Sequence, residues 1–194
     1  RGILNAAIHS DANRIGTYRR TQSRGGNTMA QTPDDIQLDR QRWTHMALCV
    51  KDIDASIQWY QDYTHLELFA RNQDVNGYGA WLIDPQQPDP PFLLVIAEFF
   101  EGKDPFEGTE HAALGPFAHF GIEMTTKDHV DAIAQKAKKD GCLALGPMQM
   151  PDPVGYICFL KDPDGNTVEF SYNQGVYEAV RQKWINTKKL KTMN

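Results

Sequence analysis

The chain has 194 residues, 41% of them apolar and 23% charged, with a formal net charge of −5. That composition suits a globular unit on a prior of about 100–200 residues per domain, and it excludes a collagen-like fibre, a wholly disordered chain and a disulfide-stapled miniprotein. Residues 1–28 carry Arg1, Arg14, Arg19, Arg20 and Arg24 against Asp11, a net of +4, so the rest of the chain carries −9. An acidic body argues against nucleic acid as a partner.

Residues 1–40 read as a disordered or extended leader, with Met29 as a possible true start. The segment lacks the apolar core of a secretory signal. From Trp43 to Val50 the chain is strand-like, and Asp52 or Asp54 then caps a helix with Ile53, Ile57 and Tyr60 at helical spacing. Leu66 to Arg71 and Gly79 to Asp84 read as strands. A proline-rich loop from Pro85 to Pro91 precedes a further strand, Phe92 to Phe100. Residues 41–101 therefore form a first βαβββ module, and 102–115 form a linker.

Residues 116–174 repeat that order. Phe117 to Met124 is a strand, and Asp128 to Asp140 is a helix ended by Gly141. Strands follow near Cys142 to Leu145 and Gly155 to Leu160. Asp162-Pro163-Asp164-Gly165 is a turn, and Thr167 to Tyr172 is the closing strand. Residues 175–194 form a C-terminal helix and tail, with the helix expected over Gly175 to Lys191. Laid over each other, the halves place His45 on His119 and, at a slightly shorter offset, Glu98 on Glu169. The expected fold is α+β, with two tandem βαβββ modules forming a curved mixed sheet around a metal site.

Strand alternation carries the chemical reading. His45 shares a face with Ala47 and Cys49, and His119 shares one with Gly121 and Glu123. Glu169 sits with Thr167 and Ser171, while Val168, Phe170 and Tyr172 point the other way. Two imidazoles and one or two carboxylates, with Glu98 as the second, suit one divalent ion: Ni, Co, Zn, Mn or Fe. Glu98 ends an apolar run, so its carboxylate must pair, bind metal or face water. The longest apolar stretch, Phe92 to Ala97, falls far short of the ~18 residues of a membrane span. Three cysteines with no CxxC pair favour a reducing compartment, so a cytoplasmic location is expected. No GxGxxG or phosphate-loop motif is present.

The segments Asp162-Pro163-Asp164-Gly165-Asn166-Thr167-Val168-Glu169-Phe170, Phe117-Ala118-His119-Phe120-Gly121-Ile122 and Trp43 to Tyr60 resemble the vicinal oxygen chelate superfamily. Its members include glyoxalase I, methylmalonyl-CoA epimerase, extradiol dioxygenases and fosfomycin or bleomycin resistance proteins. The resemblance covers roughly residues 42–173. It implies His45, His119 and Glu169 as metal ligands, Glu98 at a fourth ligand position, and commonly a homodimer. It further implies a lyase or isomerase acting on a small molecule with two vicinal oxygens through a metal-stabilised enolate. Glu169 or Glu98 would then double as the base, with Glu123 as a weaker candidate. Cys49 and Ala55 stand where glyoxalase I would place arginines for the glutathione carboxylates, so glutathione is not assigned. An Fe(II) extradiol dioxygenase is the alternative, with His65, His111 or Tyr172 as possible acid or base. A third reading is a non-catalytic antibiotic-binding protein, with Trp43, Trp59, Trp81, Phe99 and Phe100 lining the cleft.

Overall fold

The computed structural model describes residues 43–87, 91–176, 178–180 and 182–183. The leader expected over 1–40 lies outside them. Of the expected C-terminal helix, helical backbone is described at 176, 178–180 and 182–183.

Each half of the chain forms a βαβββ unit, as the sequence predicts. The first runs β1 (His45–Cys49), α1 (Ile53–Tyr63), β2 (Glu67–Gln73), β3 (Gly77–Ile83) and β4 (Leu93–Phe99). The second runs β5 (Phe120–Glu123), α2 (Lys127–Asp140), β6 (Leu143–Gln149), β7 (Tyr156–Lys161) and β8 (Thr167–Tyr172). The eight strands divide into two four-stranded mixed sheets, ordered β1-β4-β3-β2 and β5-β8-β7-β6. In each, the first strand runs parallel to the last and the other pairs are antiparallel. The parallel pairing follows from the helix crossover, which returns the chain to the sheet in the same direction. β1 and β5 are consequently edge strands. The strand expected over Phe117 to Met124 is shorter than anticipated, and it begins just after His119.

Local chemistry sets the helix ends. Asp52 accepts from the backbone N–H groups of Asp54 and Ala55 at the start of α1, and Thr126 accepts from His129 N at the start of α2. Gly141 ends α2 with φ of 78°, a left-handed conformation that glycine adopts without the penalty a Cβ would bring.

One core joins both units. Leu48, Ile53, Ile57, Tyr60, Leu82, Leu94 and Ile96 from the first unit cluster with Val130, Ala134, Leu160, Val168 and Phe170 from the second. Tyr60 is fully buried, its ring stacked 6.2 Å from Phe120, and its hydroxyl donates to Asp162 Oδ2 at 2.8 Å. Asp162, itself buried, also accepts from Asp164 N, Asn166 N and Asn166 Nδ2. Asp164 accepts from Lys51 N and Ser56 Oγ. The Asp162–Asn166 turn that closes the second unit is therefore also the polar fastening onto α1 of the first.

Cys158 lies in the same core. Burial, followed by the negative charges of Asp131 and Glu169, pushes its thiol up to about 12. It is a packing residue held as the neutral thiol, and the described cysteines form no disulfide.

Two outcomes follow from this packing. Tyr60→Phe leaves one lone pair of a buried carboxylate without its donor, and urea unfolding should show a loss of about 1.5–3 kcal/mol. A loss below ~0.5 kcal/mol would show that the bond does not fasten the units. At pH 8, Cys158 should stay unreactive toward a charged aromatic disulfide reagent until urea unfolds the chain. Because its proton is held more tightly in the folded state, the Cys158 contribution to stability is complete below the ordinary thiol range and declines as pH rises toward about 12.

Candidate functional site

Of the residues expected to bind metal, His45 and Glu169 fall on sheet faces that turn away from the shared core and His119 just precedes such a face, whereas Glu98 does not. In the second sheet, Val168 and Phe170 enter the core, so Thr167, Glu169 and Ser171 occupy the opposite face. Gly121 pairs with Glu169 across β5 and β8. A Cβ built at Gly121 would lie 3.7 Å from Glu169 Oε1, so the absence of a side chain there leaves room beside the carboxylate.

His119 immediately precedes β5, and its Nε2 lies 3.4 Å from Glu169 Oε2. Its Nδ1 is 2.6 Å from Phe117 O. A carbonyl oxygen only accepts, so Nδ1 carries the proton in that contact. The remaining nitrogen, Nε2, then faces a carboxylate oxygen. Two lone pairs cannot face each other without a positive charge between them, so the contact is built for a proton or a metal cation. Two donor atoms each about 2.0–2.2 Å from a tetrahedral or octahedral metal stand roughly 3.0–3.5 Å apart, which matches this spacing. A backbone carbonyl on the other ring nitrogen is the usual way a metal-binding histidine is oriented. Glu169 is 4% exposed, and its Oε1 accepts from Gln174 Nε2 at 2.7 Å. A carboxylate so deeply buried with one amide donor calls for a compensating cation. The edge of the His119 ring packs against Phe159, with ring centroids 5.3 Å apart, which fixes the imidazole plane. Residues present on this half of the site therefore fit a divalent metal.

His45 does not join them within one chain. It lies on the first sheet, where Leu48 and Val50 of the same segment enter the core, so His45, Ala47 and Cys49 face away from it. Its Nδ1 contacts Thr44 Oγ1 at 2.9 Å. Among the described residues, no group of three or more His, Cys, Asp or Glu side chains converges as a metal cage. The sequence pattern places each histidine away from the core, but alternation does not reveal whether the two meet within one chain, and among the described residues they do not form a group of three with Glu169.

The placement of Glu98 corrects the expectation for it as metal ligand and base. Leu94 and Ile96 enter the core, so Glu98 shares the helix-packed face of β4 rather than the face that carries His45. Its Oε2 accepts from Ile53 N at 2.8 Å, where a negative charge complements the N-terminal end of α1. The register explains the error. His45 pairs with Leu93, and the next residue along β4 on the same face is Val95. Val95 precedes Glu169 by the same interval that separates His45 from His119. Val95 is therefore the counterpart of Glu169, and Glu98 is out of step with the repeat.

The other candidates have their own partners. His65 Nε2 meets Asp84 Oδ2 at 3.1 Å, and His111 Nε2 meets Asp104 Oδ2 at 2.6 Å. Glu123 is exposed, on the face shared with Gly121. Tyr172 points to the opposite side of β8 from Glu169. Burial and the charges of Asp104 and Asp164 raise the Cys49 thiol above its ordinary range. Trp43 is exposed, and Trp59 stacks on Tyr63. Trp81 faces outward on the first sheet and stacks 6.5 Å from Phe69. With Asn72, Gly79, Val95, Ala97 and Phe99 it lines a shallow, mostly apolar depression on the face that carries His45. Gln174 is the residue that sequence reading missed, because its contact depends on a reversal after β8 that has no periodic signature.

Comparison with known proteins gives a consistent assignment. The profile of the Glyoxalase/Bleomycin resistance protein/Dioxygenase superfamily matches residues 42–170. An uncharacterized protein of Pseudomonas aeruginosa is 37% identical over 131 residues, covering 68% of this chain and 88% of that protein. The fold is similar to that of the fosfomycin resistance protein FosX from Listeria monocytogenes, with a TM-score of 0.52 at 14% identity over 67% of this chain and 91% of that one. A mutant of the same Listeria protein, complexed with Mn(II) and 1S,2S-dihydroxypropylphosphonic acid, gives a TM-score of 0.50 at 16% identity over 67% and 90% of the two chains. Among the described residues no helix is long and apolar enough to cross a membrane. The profile match over most of the folded body, the paired βαβββ units and the alternation of β8 around Glu169 agree, and this chain belongs to the Glyoxalase/Bleomycin resistance protein/Dioxygenase superfamily.

Proposed function

We propose that this chain is a divalent-metal enzyme, a lyase or isomerase acting on a small molecule with two vicinal oxygens. In this reading His119 and Glu169 of one copy and His45 of a second copy are the three protein ligands. The observation that carries it is the His119–Glu169 contact at 3.4 Å, with the far ring nitrogen already committed to Phe117 O. The edge positions of β1 and β5 support the second copy: β1 of one chain set beside β5 of another brings a His45 next to a His119 with the core undisturbed. When bound, the metal would supply a Lewis acid that offsets negative charge developing on the substrate oxygens.

The chain's own residues account for the rest. Phe117 O and Phe159 hold the His119 ring in place, and Glu169 offsets part of the ion's charge. Glu123, exposed on the same face, is the carboxylate available to accept a proton from substrate carbon. Trp81, Phe69, Val95 and Phe99 give the sheet face that carries His45 an apolar stretch against which the substrate's non-chelated part would pack.

A second reading is an Fe(II) ring-cleaving dioxygenase. Val95 favours it, because an apolar residue opposite Glu169 in the repeat leaves a set of two histidines and one carboxylate with open positions. Metal analysis of protein purified anaerobically without added metal separates the two: native iron supports the dioxygenase, whereas Ni, Co, Mn or Zn supports the lyase or isomerase.

His45→Ala and Glu169→Ala should each lose stoichiometric metal while remaining folded. Co-expressing the two variants should restore one metal site per mixed dimer, since one of its two interfaces regains all three ligands. Full metal content in His45→Ala alone would remove His45 from the site. A mixed dimer that stays empty, although each single variant is empty too, would overturn the shared site.

A further inference from the structure

The chain leaves β8 at Tyr172 and doubles back through two residues with left-handed backbone, Asn173 with φ of 59° and Gly175 with φ of 66°. Few residue types other than glycine adopt that conformation, and asparagine is one that does. Gln174 stands between them. Its side chain returns to the strand just completed and donates from Nε2 to Glu169 Oε1 at 2.7 Å. The other oxygen, Oε2, faces His119 Nε2. The two oxygens of one buried carboxylate thus have different partners on different sides.

Among the described residues, nothing else close by performs that task. Ser171 shares the face with Glu169, but its Oγ is buried without a hydrogen-bond partner, so the nearest hydroxyl on the strand does not bond the carboxylate. Gly121 offers no side chain. The reversal at residues 173–175 therefore delivers the one amide donor that Oε1 receives among the described residues.

We propose that Gln174 is a positioning residue for Glu169, holding Oε1 so that the carboxylate presents a single oxygen toward His119 and the metal. This rests on the metal reading given above. A carboxylate held by one oxygen takes one coordination position where a bidentate one takes two. The position so kept is available to a second substrate oxygen, which chelation of two vicinal oxygens requires. The same hydrogen bond keeps the carboxylate oriented as a ligand.

Mn(II) binding to the full-length chain, followed by electron paramagnetic resonance at pH 6 and pH 8, tests this. Gln174→Ala should weaken Mn(II) binding about tenfold or more, the usual scale for losing a residue that orients a ligand, with melting temperature and saturating stoichiometry unchanged. Gln174→Glu sets an acceptor against Oε1. Its loss relative to wild type should be larger at pH 8 than at pH 6, where the protonated fraction of the introduced carboxyl can donate as the carboxamide did. A merely structural role would not produce that pH difference. If Gln174→Ala fails to fold, Gln174→Asn, one methylene shorter, should show the same weakening. Affinity within twofold of wild type in the folded variant, or Gln174→Glu binding as tightly as wild type at both pH values, overturns the positioning role and leaves the metal reading intact. A wild-type chain that binds none of Mn(II), Zn(II) or Fe(II) overturns both.

Discussion

Asp162 holds the molecule together in a way the rest of the structure depends on. Its two oxygens accept from Asp164 N, Asn166 N, Asn166 Nδ2 and the Tyr60 hydroxyl, and three of those bonds shape the turn before β8. The fourth crosses to α1 of the other unit. A buried carboxylate is tolerated when its lone pairs are filled in this way, and burial together with the Asp162 charge pushes the Tyr60 hydroxyl well above its ordinary range, so it remains a donor. This fastening ties α1 of the first unit to the turn that precedes β8 of the second. Among the described residues of one chain, His45 does not converge with His119 and Glu169 into a group of three that could hold a metal.

The same logic separates carboxylates that are structural from those that are chemically available. Glu98, Asp52, Asp162 and Asp164 all accept backbone or side-chain donors within the fold. Glu169 differs. It is as buried as Asp162 but receives one amide donor and one imidazole contact, a shortfall that a cation would offset. Burial alone does not distinguish the two residues; the count and charge of their partners do.

Much of this was legible in the residues. The alternation Thr167, Glu169, Ser171 against Val168, Phe170, Tyr172 placed the carboxylate on the face of β8 opposite the core, although those three residues are buried as well. Gly141, and Asp52 as one of two candidate caps beside Asp54, marked helix ends through local chemistry that needs no tertiary context. Glu98 misled because strand identity was read by its place near the end of an apolar run and not by register. The interval between the two histidines pointed to Val95, and applying that one period throughout would have found it. The separation of His45 from His119 was not legible, since alternation tells which face a side chain occupies but not where that face lies in the folded chain. Gln174 was hidden for a related reason: its role comes from two positive backbone angles, not from a repeat.

The sheet face that carries His45 would constrain what the proposed site can accept. On that face β1, β3 and β4 present Ala47, Cys49, Gly79, Trp81, Val95, Ala97 and Phe99, and none of these side chains carries a cation. Arg71, the arginine nearest to them in the sheet, points to the helix side and forms a two-point contact with Asp54, with its guanidinium over the Tyr78 ring. Lys161, on the outward face of the second sheet, is held by Gly165 O, Thr167 Oγ1 and Leu114 O. A substrate with an anionic tail remote from the metal would have to leave that charge beside apolar side chains, a cost of several kcal/mol without a paired cation. An uncharged, apolar body stacked on Trp81 incurs no such cost and gains from the burial of both surfaces. In the proposed site the donor set around Glu169 would decide which atoms of a substrate are held, and the sheet face that carries His45 would decide what the rest of that substrate can be.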